Sequence, residues 1–187
     1  MMRFPPWAAL FLLCGCGPDE AEVERLVEQG RHLFLRGDYH ATIDTLKKAA
    51  LLDENEVVGR LYLSRAYLRL SRYDEALEHI GAAMAHDPQR PSLYEVLGNI
   101  HSSRYTAFAY TETQEGDGHA AIAAFRKAIS LDSTRAAAHY NLGIVYGYLD
   151  STRLAELSFI AALNADSSLG AAYKKLGIIE RESGRQQ

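Results

Sequence analysis

Ser64, Ala76, Ala83 and Pro88 recur 79 residues further along the chain as Gly143, Ala155, Ala162 and Ser167. Small residues at fixed offsets are what two helices need where their backbones cross closely, because a larger side chain would force the axes apart. This register constrains the chain to a stack of short helical pairs. Neither helix of such a pair buries its apolar stripe alone, so each pair covers the next and the stack shares one continuous core. Pro88 disfavours helix at Asp87 and so closes one unit where the next begins.

The stretch 57–90 carries Leu63, Ser64, Tyr67, Tyr73, Ala76, Ile80, Ala83 and Pro88. In those residues it resembles the tetratricopeptide repeat, a helix-turn-helix unit of about 34 residues. The same pattern places a degraded first repeat at 23–56, with Gly30 at the small helix-A position, Gly37-Asp38-Tyr39 at the turn, Thr42 where alanine is usual, and Leu46 and Ala49 in the helix-B core. A third repeat spans 91–135, opening with Tyr94, Leu97 and Gly98 and closing with Ala121, Phe125 and Ala128. A fourth spans 136–169, with Leu142, Gly143, Tyr146, Ala155, Phe159 and Ala162. Residues 170–184 match one further helix A through Tyr173, Leu176 and Gly177, and Lys174, Lys175, Glu180, Arg181 and Glu182 give it the polar outer face of a terminal cap. The resemblance implies an all-α, right-handed superhelix of four repeats plus a capping helix, occupying 23–187, with A helices lining a concave face.

Residues 1–15 read as a secretory signal. Arg3 supplies the positive charge, Trp7 to Leu13 an apolar run, and Leu13-Cys14-Gly15-Cys16 a cleavage site. The run is far shorter than the roughly 20 residues of a spanning helix. The four residues ending at Cys16 resemble a bacterial lipobox, which implies lipidation of Cys16 and a short tether over 16–22. Cys14 does not fit, because Leu13 is too large for the residue before the cut. Gly17 after the cysteine implies, by resemblance to enterobacterial sorting, the outer membrane facing the periplasm.

The formal net charge is −4, and removal of Arg3 makes it one unit more negative. No clustered Lys and Arg are present to neutralise phosphates, so nucleic acid is not an expected partner. Both cysteines lie in the signal region, leaving none for a disulfide or a CxxC metal site. The seven histidines, at 32, 40, 79, 86, 101, 119 and 139, share no HxxxH or HExxH spacing. Glu75 and Glu78 near His79 read as a solvated helix face. No nucleophile-base order or phosphate loop stands out, so no enzyme activity, cofactor, metal or small-molecule substrate is expected.

The third repeat is 11 residues too long, the excess falling between Arg104 and Gly116. Eleven residues approximate three helical turns, so helix A can lengthen without losing phase, by roughly 15 Å at about 1.5 Å per residue. Leu97, His101, Arg104 or Tyr105, and Phe108 continue a helical spacing, and no Gly or Pro intervenes before Gly116-Asp117-Gly118. Two readings follow. The extension carries Tyr105, Phe108 and Tyr110 beyond the partner helix as an exposed docking surface, or these rings fold back and lengthen the local core.

The resemblance also implies a partner-binding groove on the A helices. Its positions fall on Val58, Leu61, Tyr62, Arg65, Leu68 and Arg69, then Glu95, Asn99, Ser102 and Ser103, then Tyr140, Asn141, Ile144 and Tyr148, and finally Lys174, Lys175 and Ile178. Tyrosine and arginine are the usual hot-spot residues, and amides and hydroxyls suit an extended peptide backbone. Some relatives grip a peptide's terminal carboxylate with a five-residue clamp. Asn99, Asn141 and Lys175 match three of its positions, while Glu95 and Ala171 stand where lysines belong, and Glu95 repels a carboxylate. The expected function is a lipid-anchored scaffold for a multiprotein envelope complex, in the manner of pilotin lipoproteins. The alternatives are a periplasmic adaptor that binds extended peptides for a protease or cell-wall enzyme, and a chain that bridges its own kind through exposed repeat ends.

Overall fold

In the computed structural model, which describes residues 20–107 and 114–184, the described chain is all helix, turn and loop. The helices are α1 (Glu20–Leu35), α2 (Tyr39–Leu52), α3 (Val57–Arg69), α4 (Tyr73–His86), α5 (Pro91–Ala107), α6 (Gln114–Leu131), α7 (Ala136–Tyr148), α8 (Thr152–Ala165) and α9 (Gly170–Gly184). Each helix packs on the next in sequence, and α1, α3, α5 and α7 also touch one another in series. The odd-numbered helices therefore line the inner, concave side of a superhelical arc. None of the described helices is long and apolar enough to cross a membrane. The expected signal segment, 1–15, and Cys16 lie outside the described residues.

Small residues at the crossings admit large ones from the partner helix. A Cβ added to Gly98 would lie 2.7 Å from the Phe125 ring, and one added to Gly143 2.7 Å from Phe159. Gly30 admits Leu46 in the same way. Repeat two has Ser64 at this place, and its buried hydroxyl donates to the Ala76 carbonyl at 2.8 Å, so the polar group is satisfied where glycine would be neutral. Ala76, Ala83, Ala155 and Ala162 are all at most 1% exposed. Thr42, at the usual alanine position, is fully buried and donates to the Asp38 carbonyl at 2.8 Å.

The turns repeat as faithfully as the core. Gly37, Ser71 and Asp150 occupy the same register after α1, α3 and α7, and all have positive φ, at 83°, 58° and 54°. The next residue's N–H closes back on the helix, as Asp38 to Leu33, Arg72 to Tyr67 and Ser151 to Tyr146, which satisfies the last carbonyls. Between repeats an aspartate recurs. The Asp53, Asp132 and Asp166 carboxylates accept the backbone N–H two residues on, at 2.9–3.0 Å. Hydrogen bonds from the Thr134 and Ser168 side chains and backbone hold Asp132 and Asp166 below the usual carboxylate range.

The insertion is divided between two helices rather than given to one. α5 has 17 residues against 13 in α3 and α7, and α6 has 18 against 14 in α4 and α8. The expected solitary extension of helix A is therefore replaced by a hairpin lengthened on both sides by about one turn, or about 6 Å. Gly116, Asp117 and Gly118 lie inside α6. His101 Nδ1 sits 2.7 Å from Asp117 Oδ1, and Arg104 Nε 3.2 Å from Oδ2 without hydrogen-bond alignment. Tyr105 packs its ring over Gly118 and donates to the Tyr148 carbonyl at 3.3 Å. Tyr105 is thus half-buried against Gly118 and Tyr148, while Phe108 and Tyr110 lie outside the described residues.

The cap is less polar than its sequence suggests. Ala172 is buried, and Leu176 and Ile179 pack against the core. Tyr173, one of the residues through which this helix matches a further helix A, is 56% exposed. Nearby on α8, Leu154, Leu157 and Ile160 are also exposed; the same register in repeat two holds Glu75, Glu78 and Gly81.

One half-buried titratable group couples the packing of α4 to pH. His79 stacks on Tyr67, with centroids 5.4 Å apart and planes at 6°, and its Nδ1 is buried without a hydrogen-bond partner among the described residues. Burial depresses its pKa below 6.5; Arg60 and Lys47 push the same way, and Glu78 and Glu75 oppose them. The unfolded chain then binds this proton at higher pH than the folded one, so stability rises with pH across that interval. We expect chemical denaturation to show stability declining as pH falls from about 6.5, the unfolded value, through the depressed folded value. His79→Phe, which keeps the stack, should flatten that decline; an unchanged profile would show that His79 does not cause it.

Candidate partner-binding groove

A cleft of about 630 Å³ runs across the concave face. Phe34 of α1, Arg65, Leu68 and Arg69 of α3, Glu95, Val96, Asn99, Ser102 and Ser103 of α5, and Ala137, Asn141 and Ile144 of α7 line it, with Ser71 and Tyr73 from the α3–α4 turn and α4. Of the expected groove residues, Arg65, Leu68, Arg69, Glu95, Asn99, Ser102, Ser103, Asn141 and Ile144 are brought together here. Tyr62 stands beside the cleft, edge-on to Phe34 at 5.5 Å, with the Arg65 guanidinium 5.3 Å from its ring centroid. That cation–π contact fixes where the Arg65 charge sits.

Val58, Leu61, Lys174 and Ile178 are outside the cleft lining, and three further expected positions fall elsewhere. Tyr140 packs on Phe159, with centroids 5.6 Å apart, because the register of α7 turns it toward α8. Tyr148 is 51% exposed at the end of α7, its ring 6.3 Å from that of Tyr105. Lys175 is exposed on α9, beyond the cleft lining. Phe34 was missed, although it stands in the register of Leu68 one repeat earlier.

The polar pairs inside the cleft change its character. Glu95 is only 8% exposed and is bound by Arg135, the residue that closes the third repeat just before α7, through Nε at 2.7 Å and Nη2 at 2.6 Å. A bidentate pair of this kind consumes the carboxylate's charge. The expectation that Glu95 repels an anion is thereby corrected. Asn141 Nδ2 donates to Asn99 Oδ1 at 2.9 Å, so the two clamp asparagines are bonded to each other. With Ala171 and Lys175 both off the cleft, the terminal-carboxylate clamp is not assembled. Among the described residues, no group of His, Cys, Asp or Glu is arranged to hold a metal ion.

Two tetratricopeptide-repeat family models match the chain, one over residues 33–100 and one over 109–149. Proteins built from such repeats are generally non-catalytic scaffolds. No curated protein sequence matches the chain. Among solved structures, a thermophilic repeat protein of Thermus thermophilus is similar at 23% identity and TM-score 0.76, over 87% of this chain and 84% of that one. PilF of Pseudomonas aeruginosa is similar at 15% identity and TM-score 0.76, over 89% and 71% of the respective chains. MamA of Desulfovibrio magneticus is similar at 22% identity and TM-score 0.64, over 79% and 77%. At these identities the likeness is one of fold. The two family matches together span more than half of the sequence, and tetratricopeptide repeats are recognised over both stretches.

Proposed function

We propose that this protein is a membrane-anchored, non-catalytic scaffold that supports assembly of a multiprotein complex in the cell envelope, with its concave cleft as the partner site. The cleft carries the reading: four A helices present two arginines, amides, hydroxyls and apolar side chains on one continuous surface. That mixture suits binding rather than chemistry. The anchor rests on Leu13-Cys14-Gly15-Cys16. Only three residues separate Cys16 from the start of α1 at Glu20, so a lipid on that cysteine would hold the repeats within about 14 Å of the membrane surface. The likeness to PilF agrees with the fold required and adds nothing about the partner.

The test is in-cell crosslinking and affinity capture of the full chain beside Cys16→Ser, with incorporation of a palmitate analogue followed in both. Label on the wild type alone, with envelope proteins captured by the wild type and lost in the variant, supports the reading. Equal capture of cytosolic proteins by both, without label, would overturn it.

A further inference from the structure

Charge in the cleft identifies the chemistry of its occupant. Resting on the cleft being the partner site, we propose that it binds an extended acidic segment read through side-chain carboxylates, with Arg65 and Arg69 as the anion contacts. The lining contains three charged residues, Arg65, Arg69 and Glu95. Glu95 is neutralised by Arg135, which leaves the two arginines as the uncompensated charge of the surface. Arg65 is half-buried and placed by Tyr62; Arg69 is exposed one turn further along α3. Nearby basic groups are already committed to carboxylates: Arg31 to Glu28, Arg72 to Glu75, and Arg104 to Asp117. A ligand bearing carboxylates four residues' reach apart in the cleft thus meets two guanidinium donors with no competing anion.

The remaining lining sets the rest of the ligand. Ser102, Ser103 and the Asn99–Asn141 pair offer donors and acceptors to a peptide backbone, while Phe34, Leu68 and Ile144 offer apolar contact at both ends. Four helices spaced about 9 Å apart span a length of about 27 Å, which an extended chain of about eight residues covers. Because the clamp asparagines bond each other and Lys175 lies off the cleft, a free C-terminal carboxylate is not required.

The probe is a fluorescein-labelled acidic octapeptide with interspersed leucines, acetylated and amidated, titrated with the detergent-solubilised full chain and read by anisotropy. Two companions replace every acidic residue, with lysine in one and with glutamine plus a free C-terminal carboxylate in the other. The acidic peptide should bind at least about tenfold more tightly than either companion. Raising salt from about 0.1 to about 1 M, which shortens the Debye length from about 10 to about 3 Å, should erode that preference. Arg65→Glu with Arg69→Glu should abolish it, and Arg65→Gln with Arg69→Gln should weaken it, while circular dichroism melts confirm folding. Equal binding of the three peptides, or a preference untouched by the arginine variants, would overturn the acidic assignment. If the lysine or glutamine peptide binds more tightly and Leu68→Glu abolishes that binding, the acidic assignment falls while the cleft as partner site stands. If no peptide binds, the assignment falls as well, and the scaffold reading is decided separately by the Cys16 capture experiment.

Discussion

Phe125→Ala is expected to lower the stability of the folded chain by about 3–5 kcal/mol, the range for deleting a buried aromatic ring. Phe125 is fully buried and belongs to the core with Ala121, Leu142, Val145 and Tyr146, so its ring joins α5, α6 and α7. The site has little means of collapsing, because the Gly98 backbone that receives the ring carries no side chain to move inward. Domain stabilities of about 5–15 kcal/mol make such a loss a large fraction of the whole. For a chain of this size it corresponds to a fall in Tm of about 6–20 °C. The complementary variant, Gly98→Ala, places a methyl 2.7 Å from the same ring and should cost about 1–3 kcal/mol by overpacking. Combined with Phe125→Leu, it should cost less than the two effects added, since the smaller side chain vacates the space the methyl needs. Urea melts of the single and double variants measure this. Strict additivity would mean that the glycine and the ring do not share the crossing.

The parts of the fold governed by local register were legible in the sequence. Ala76, Ala83, Ala155 and Ala162 mark the crossings because nothing larger fits, and Gly98 and Gly143 announce the rings that enter them. The recurrence of Asp53, Asp87, Asp132 and Asp166 at the repeat boundaries was equally available, and the structure explains three of these as turn acceptors. The insertion misled for a physical reason. Gly116-Asp117-Gly118 has the composition of a helix stop, yet Asp117 is held by His101, and Gly118 is small because the Tyr105 ring lies over it. Tertiary contacts there override local propensity. In the groove, Arg65, Arg69, Asn99 and Asn141 follow from register alone. The state of Glu95 does not, because its partner lies 40 residues away at the start of α7, and no local pattern connects them.

That pair supplies the second large effect. Arg135→Ala leaves the Glu95 carboxylate, with a side chain 10% exposed, without its bidentate partner. Removing one member of a buried pair costs about 3–5 kcal/mol, and we expect about 3 because the guanidinium is itself one-third exposed. Arg135→Lys should fall between wild type and alanine, since an ammonium keeps the charge and loses the planar fork. Glu95→Ala combined with Arg135→Ala should recover part of the loss, because the uncompensated charge is gone; a double variant as unstable as the sum of the singles would mean that the pair contributes only through packing. The same four proteins bear on recognition. In Arg135→Ala the freed carboxylate faces the cleft beside Arg65 and Arg69 and competes with an acidic ligand, so affinity for the acidic octapeptide should fall. In the double variant the two cleft arginines are uncompensated again and affinity should return. Stability and binding would then recover together on removal of one carboxylate, which is the result expected if Arg135 serves both the joint between repeats three and four and the charge of the surface that the joint holds open.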